Sequence, residues 1–174
     1  MSDPTPRPMR CALLTASDTR TQDNDTSGDL IAELLVGAGH ELTHRDIIRE
    51  SIEHMTLTLK MLIEREDVEV IIITGGTGIT RRDVTPDALM SLSTKEIPGF
   101  GELFRWLSYA DIGASTIQSR ACAHLCGDTL AFALPGSTGA VRLAMEKILI
   151  PQLDVRNKPC NFAQLMPRIK EVRS

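Results

Sequence analysis

Short runs of apolar residues alternate along the chain with longer segments in which apolar residues recur every three or four positions. Such runs are typical of strands buried on both faces of a sheet, and the longer segments are typical of amphipathic helices. The clearest run, residues 68–74, is apolar or β-branched except for Glu69. The strands predicted in this way are residues 11–15, 41–48, 68–74, 120–125 and 129–134. The last two flank the turn Cys126-Gly127-Asp128 and are expected to pair antiparallel.

Helices are predicted between these strands from apolar spacing and from capping residues. Thr26 or Ser27 is expected to cap the first helix and Ser51 the second. Thr85 followed by Pro86 resembles a helix start in which the threonine hydroxyl is the cap. The predicted helices are residues 28–37, 52–66, 88–92, 100–111 and 140–149.

This order of strands and helices predicts an α/β fold. We expect a three-layer α/β/α sandwich with a mostly parallel sheet, one antiparallel element and Rossmann-like connections. Residues 10–150 form the predicted domain, after a flexible, Pro-rich tail at residues 1–9. Residues 151–174 contain Pro151, Pro159 and Pro167, so they are expected to be an extended segment that packs on the surface or on a neighbouring subunit.

Composition excludes several classes of partner. With 174 residues, a net charge of −4 and no long block of Lys or Arg, the chain lacks the basic surface of a nucleic-acid-binding protein. No apolar run reaches the length of a membrane span, and residues 1–8 do not resemble a signal peptide. The four cysteines lack metal-site or disulfide spacing and are expected to be reduced thiols. A cytoplasmic location is therefore expected.

A glycine loop follows the strand that ends at Thr74. Gly75, Gly76 and Gly78, with Thr77 between them, leave room for a phosphate to approach the backbone N–H groups. Asp83 and Asp87 follow closely, and carboxylates suit Mg²⁺ better than they suit a phosphate. The loop therefore predicts a site for a metal-bridged nucleotide or pyrophosphate, although it lacks the Gly-Lys-Ser/Thr ending of a Walker loop.

Two further groups of residues are expected at the same edge of the sheet. Glu50 follows the second predicted strand, and the loop Pro135-Gly136-Ser137 follows the last one. We expect Asp83 and Glu50 to hold Mg²⁺, Arg81 and Arg82 to contact phosphate oxygens, and Ser137 with nearby N–H groups to bind a second phosphate.

Each of these residues also has a structural interpretation. Arg81 and Arg82 are equally well explained as a solvated pair, and Glu50 as a charge favouring the helix that begins after it. Ser137 taken alone is better explained as a helix cap, and its loop is a candidate because it is the second one at that edge. Asp83 is the stronger candidate, because Thr85 is expected to cap the same helix already.

Four of the six aromatic residues lie in one predicted helix. They are Phe100, Phe104, Trp106 and Tyr109. They are expected either to fill the core or to form a contact between subunits.

The stretch from Thr74 to Ala88, TGGTGITRRDVTPDA, resembles the signature of the molybdenum cofactor biosynthesis family with the MoaB/Mog domain. Four other stretches are similar to the MoaB branch of that family. They are residues 98–105, 115–120, 134–138 and 151–162.

This resemblance implies an α/β sandwich that assembles into trimers, or hexamers in the MoaB branch, and that binds molybdopterin within residues 10–150. It also implies transfer of AMP from MgATP to the molybdopterin phosphate, with release of pyrophosphate. The signature aspartate matches Asp83, a second acidic position falls on Glu50 where aspartate is usual, and the loop Pro135-Gly136-Ser137 is similar to the pterin-side loop. The alternative is a molybdopterin-binding or scaffold protein without catalytic activity.

Overall fold

The computed structural model describes residues 6–171, and six strands form a sheet in this part of the chain. They are β1 (Arg10–Ala16), β2 (Glu41–Ile48), β3 (Val70–Thr74), β4 (Lys95–Glu96), β5 (Cys122–Cys126) and β6 (Thr129–Leu134). Their order across the sheet is β2-β1-β3-β6-β5-β4. β1, β2, β3 and β6 run parallel, whereas β5 pairs antiparallel with both β6 and β4. The predicted sheet is confirmed, and the two-residue strand β4 adds an edge that was not predicted.

Helices cover both faces of this sheet. They are α1 (Thr26–Gly37), α2 (Ile52–Ile63), α3 (Thr85–Leu92), α4 (Pro98–Ile112), α5 (Thr138–Ala144), α6 (Ile150–Leu153) and α7 (Phe162–Ile169). A 3₁₀ segment, Gly113–Gln118, follows α4, and a π-helical turn, Met145–Leu149, joins α5 to α6. The cluster of buried residues on one face includes side chains of α1, α4, α5, α6 and α7, and the cluster on the other includes those of α2 and α3. The three-layer α/β/α sandwich is therefore confirmed.

Neighbouring residues of the central strands point to opposite helical layers. Leu13 and Ile72 pack with α1 and α4, whereas Leu14, Ile71 and Ile73 pack with α2 and α3. All five side chains are fully buried. This two-sided burial explains why the strand sequences are almost continuously apolar.

Two of the predicted helix caps differ in the structure. The cap of α1 is Asp25, which accepts a hydrogen bond from the N–H of Gly28, and not Thr26 or Ser27. Thr85 does not cap α3, because its hydroxyl donates to the carbonyl of Gly75 at 2.9 Å. The hydroxyl thus closes the glycine loop onto the helix. The prediction for Ser51 is confirmed, since its side chain accepts from the N–H of His54.

The C-terminal segment was expected to be extended, and this is wrong for residues 151–153, which belong to α6, and for residues 162–169. Residues 162–169 form α7, whose Ala163 and Met166 are buried in the core. Asn161 caps the helix by accepting from the N–H of Gln164 at 2.8 Å. The cap and the apolar contacts outweigh the helix-breaking tendency of Pro167 near the end of the helix.

Glu69 ties both ends of the described chain to the sheet. Its fully buried carboxylate pairs with Arg7, with Arg10, and with Lys170 at 3.0 Å. Met9 is fully buried as well, so the packed part of the chain begins before the boundary predicted at residue 10. Residues 1–5 of the predicted tail lie outside the described residues.

No helix within residues 6–171 combines the length and the apolar character that a membrane span requires.

Candidate functional site

The ends of three parallel strands place the two glycine-containing loops side by side. Thr15, Thr74 and Leu134 occupy matching positions at the carboxyl ends of β1, β3 and β6. The N–H of Gly75 donates to the carbonyl of Leu134 at 2.9 Å, and the hydroxyl of Thr74 donates to the carbonyl of Pro135 at 3.0 Å. The expectation that both loops lie at one edge of the sheet is therefore confirmed.

A cavity of about 390 Å³ opens at this edge. Its lining includes nine of the residues selected from the sequence. They are Glu50, Thr74, Gly75, Gly76, Thr77, Gly78, Asp83, Pro135 and Gly136. The carboxyl edge of a parallel sheet is the usual position for a ligand in open α/β folds.

The glycine loop can adopt its shape only because it lacks side chains at two positions. Gly75 and Gly76 have φ values of 100° and 64°. A Cβ on Gly75 would lie 2.3 Å from the carbonyl oxygen of Ala16, and one on Gly76 would lie 2.6 Å from the hydroxyl of Thr85. Within the described residues, no acceptor contacts the N–H groups of Gly76 and Thr77. Two backbone donors beside a cavity are suited to an anion.

Asp83 lies at the cavity with its carboxylate held by the loop itself. It accepts from the N–H of Thr80 at 2.9 Å and from the hydroxyl of Thr80 at 2.6 Å. Burial alone would raise its pKa, but these hydrogen bonds and one from the N–H of Gly78 outweigh it and lower the pKa of Asp83. Asp83 is therefore a carboxylate in a fixed orientation that stays ionised at neutral pH.

Glu50 reaches the same cavity from the end of β2. Burial raises the pKa of Glu50, the charges of Asp18 and Asp83 raise it further, and Arg82 opposes them. Arg82 Nε lies 3.9 Å from Glu50 Oε2, and the same guanidinium donates to Asp18. Two carboxylates that repel each other across one cavity are the arrangement that a divalent cation stabilises.

Four residues considered from the sequence lie outside the cavity lining. Ser137 caps α5 by accepting from the N–H of Ala140, as its structural interpretation predicted. Arg82 is engaged by Asp18 and Glu50, and Arg81 is exposed. Asp87, which was considered suitable for Mg²⁺, instead accepts two hydrogen bonds from Arg120.

Sequence reasoning missed Asp25, which is 1% exposed and lines the cavity. Its carboxylate accepts from the hydroxyl of Thr15 at 2.7 Å and from Arg45 at 3.1 Å. A Cβ on Gly28 would lie 2.0 Å from this carboxylate, so the glycine makes room for it. The sequence feature that could have identified Asp25 is an acidic residue directly before a predicted helix, with a glycine three residues later.

Seven other lining residues were also not selected from the sequence. They are Thr15, Ala16, Ser17, Arg20, Ser27, Gln118 and Ser119. Ser27 connects α1 to the last loop, because its hydroxyl donates to the carbonyl of Gly136 at 2.8 Å.

The charges of the lining bear on which ligand fits. Among the described residues the lining contains three carboxylates, Asp25, Glu50 and Asp83, and one guanidinium, Arg20. Asp25 is neutralised by Arg45, whereas Glu50 and Asp83 face the cavity. No group of three His, Cys, Asp or Glu side chains within residues 6–171 is placed to hold a metal ion. Mg²⁺ commonly binds to one or two carboxylates together with substrate phosphates and water, so Glu50 and Asp83 fit such an ion bound with a phosphorylated ligand.

Residues 12–155 match the sequence family described as a probable molybdopterin binding domain. The chain belongs to this family. The match includes both glycine-containing loops, Glu50 and Asp83, so the cavity lies within the family domain. It ends before α7, which lies outside the matched residues.

Proteins named molybdenum cofactor biosynthesis protein B are similar to this chain over most of their length. The chain is 46% identical to molybdenum cofactor biosynthesis protein B of Escherichia coli strain K12, covering 89% of this chain and 91% of the relative. It is 50% identical to the protein of the same name from Staphylococcus epidermidis, with coverage of 84% and 86%.

Solved structures of the family agree in fold. A crystal structure of a molybdenum cofactor biosynthesis protein B matches with a TM-score of 0.86 and 42% identity, covering 95% of this chain and 98% of the other. The tungsten cofactor synthesizing protein MoaB of Pyrococcus furiosus matches with a TM-score of 0.73 and 34% identity, covering 82% and 91%.

Proposed function

We propose that this protein acts in molybdenum cofactor biosynthesis by binding molybdopterin and transferring AMP to it from MgATP, with release of pyrophosphate. The observation that carries the proposal is the placement of Glu50 and Asp83 in one cavity with the loop Gly75–Gly78. The match to a molybdopterin binding domain and the names of the relatives support the choice of substrate.

The proposed ligands match the polar groups of the cavity. The N–H groups of Gly76 and Thr77, which have no acceptor among residues 6–171, suit a phosphate oxygen, and Arg20 supplies a cationic side chain in the lining. Glu50 and Asp83 would repel a phosphate that arrived without a counterion. A phosphorylated ligand therefore binds here together with a divalent cation, and MgATP meets that requirement.

The reaction is a displacement at phosphorus. A phosphate oxygen of molybdopterin attacks the α-phosphorus of ATP, a new P–O bond forms, and the bond to the departing pyrophosphate breaks. Mg²⁺ held by Asp83 and Glu50 would neutralise charge on the phosphates. The protein contributes orientation and fixed charge, which are the main sources of rate enhancement in phosphoryl-type transfers, and needs no side-chain nucleophile.

Transfer of labelled AMP from ATP to molybdopterin tests the proposal directly. We expect Asp83→Asn, which keeps the shape of the side chain, to lower the rate by about 100-fold, roughly 3 kcal/mol in the barrier. Asp67→Asn is the matched control, because Asp67 is exposed before β3 at the opposite edge of the sheet. An Asp83→Asn rate within a few-fold of wild type would refute the metal role.

A binding or scaffold protein without catalytic activity is the second candidate. It is favoured by the presence of only two carboxylates, Glu50 and Asp83, that face the cavity in the described residues, and by the raised pKa of Glu50. Titration separates the two functions. Tight binding of molybdopterin without Mg²⁺-dependent consumption of ATP would identify the binder.

We also propose that the protein self-associates through α4. Phe100 and Phe104 are buried in the core, but Trp106 and Tyr109 on the same helix are 73% and 63% exposed. The core interpretation therefore holds for Phe100 and Phe104, and the subunit contact is proposed for Trp106 and Tyr109. Mass measurement in dilute solution is expected to show a trimer or a hexamer, and a monomer would contradict the proposal.

A further inference from the structure

Arg120 contacts the glycine-loop region but is not among the residues that line the cavity. Its backbone N–H donates to the carbonyl of Thr77 at 2.8 Å. In its side chain, Nε donates to the carbonyl of Gly78 at 2.7 Å and Nη2 donates to the carbonyl of Asp83 at 2.6 Å. One residue therefore bonds to the loop near its beginning and at its end.

Asp87 holds the same guanidinium in place. Its two carboxylate oxygens accept from Nη1 and Nη2 of Arg120 at 3.1 and 3.0 Å. This two-armed contact uses the planar fork that only arginine provides. A lysine at position 120 would keep the positive charge, but one ammonium group cannot satisfy two carbonyls and a carboxylate lying in different directions.

The contacts of Arg120 and Thr80 hold Asp83 from two sides. Thr80 fixes the carboxylate through its N–H and hydroxyl, and Arg120 fixes the main-chain carbonyl of Asp83. If the main chain shifted, the carboxylate would move with it even with the Thr80 bonds intact. Catalytic groups must be held to within a fraction of an ångström to act efficiently.

We infer that Arg120, supported by Asp87, is a positioning residue that fixes residues 77–83 and so keeps the Asp83 carboxylate at the cavity. The consequence for catalysis rests on the proposed function, since it assumes that Asp83 binds the cation of MgATP. The effect on the loop does not depend on that assumption.

Amide hydrogen exchange tests the inference without any substrate. The N–H groups of Thr80 and Asp83 are hydrogen-bonded within the loop, whereas that of Ile72 lies in β3. In Arg120→Ala, we expect exchange at Thr80 and Asp83 to accelerate at least tenfold while Ile72 keeps its protection. Wild-type exchange rates at Thr80 and Asp83 would overturn the inference.

Two further variants make this result specific. Arg120→Lys keeps the aliphatic stem and the charge, so it is expected to fold and still to show faster exchange in the loop. Arg142→Ala removes an exposed arginine of α5 that pairs with Glu146, and it should leave the loop unchanged. Equal acceleration in Arg142→Ala would show a general loss of stability and would contradict a local role for Arg120.

A double-mutant cycle examines the part played by Asp87. If Asp87 acts through Arg120, Asp87→Asn accelerates loop exchange by itself but adds little in the Arg120→Ala background. Fully additive effects of the two substitutions on the exchange rates would show that Asp87 does not act through Arg120.

The dependence of AMP transfer on Mg²⁺ then connects the loop to the chemistry. For Arg120→Lys, the Mg²⁺ concentration at half-maximal rate is expected to rise about tenfold, with the Kd for molybdopterin unchanged. A wild-type protein that binds molybdopterin but transfers no AMP would refute the proposed function, and the exchange experiment would still decide on Arg120.

Discussion

Thr80 donates two hydrogen bonds to the carboxylate of Asp83, one from its N–H at 2.9 Å and one from its hydroxyl at 2.6 Å. The acceptor of both bonds is the same oxygen, Oδ2. The orientation of a residue proposed to bind the cation thus depends on a threonine that does not itself line the cavity.

Replacing this hydroxyl should weaken activity without disturbing the fold. In Thr80→Val, the hydroxyl bond is lost while the size of the side chain is kept, and we expect AMP transfer to fall about tenfold, since a hydrogen bond to a charged group contributes roughly 1.5–3 kcal/mol. Thr80→Ser keeps the hydroxyl and should retain most of the activity. Equal rates for Thr80→Val and wild type would show that the bond does not matter for catalysis.

Gly75→Ala is expected to distort the cavity. A Cβ would lie 2.3 Å from the carbonyl oxygen of Ala16, at a φ of 100° that side chains rarely adopt. We expect the free energy of unfolding to fall by about 2 kcal/mol or more, together with loss of molybdopterin binding. Gly139→Ala is the control, because nothing lies within 4 Å of its Cβ position in α5. Denaturant titration and ligand binding measure the two effects.

Glu69 should make stability depend on pH in the acid range. Burial alone would raise its pKa, but hydrogen bonds from Lys170, Arg7 and Arg10 lower the pKa of Glu69 to about 2. Because the folded-state pKa lies below the ordinary value of 4.5, the stabilisation is complete above pH 4.5 and is lost as the pH falls towards 2.

Glu69→Gln tests this contribution. At pH 7 we expect it to lower the free energy of unfolding by about 3 kcal/mol, because three cationic side chains lose their buried partner. The variant should also lose part of the dependence on pH between 4.5 and 2. Asp67→Asn, at an exposed ion pair, should leave stability nearly unchanged. Identical acid unfolding of Glu69→Gln and wild type would contradict the stabilising role assigned to the ionised Glu69 carboxylate.

The four cysteines should differ in their reaction with a thiol reagent. Burial raises the pKa of Cys11 and of Cys122 to about 12 and that of Cys126 to about 11, so these thiols stay protonated at neutral pH. Cys160 is exposed. Labelling at pH 7 followed by mass spectrometry is expected to modify Cys160 first and the other three after unfolding. Rapid labelling of Cys11 in the native protein would be inconsistent with its burial.

The parts of the site that the sequence predicted correctly depend on local patterns. The run ending at Thr74 is apolar on both faces, and the glycines that follow it at positions 75, 76 and 78 disfavour both a continued strand and a helix. The position of the loop follows directly from these two patterns. Glu50 could be placed at the same edge because parallel strands carry their carboxyl ends to one side of a sheet.

Other residues could not be assigned locally, because their roles depend on contacts between distant segments. Arg120 follows a 3₁₀ segment, and only the folded chain brings it beside Gly78 and Asp83. Thr85 has one hydroxyl and two possible partners, the first turn of its own helix or the carbonyl of Gly75. The local capping rule favours the first, and closure of the glycine loop selects the second.

The contacts of Glu69 also indicate where the chain can be circularly permuted or fused to another domain. Arg7 and Lys170 meet at this carboxylate, beside the amino end of β3, and the cavity lies at the carboxyl end of the same strand. A short linker between these two segments would close the chain into a ring, and new termini could then be opened in the hairpin turn at Gly127. A reporter domain attached on the Glu69 side would leave the approach to the ligand cavity clear.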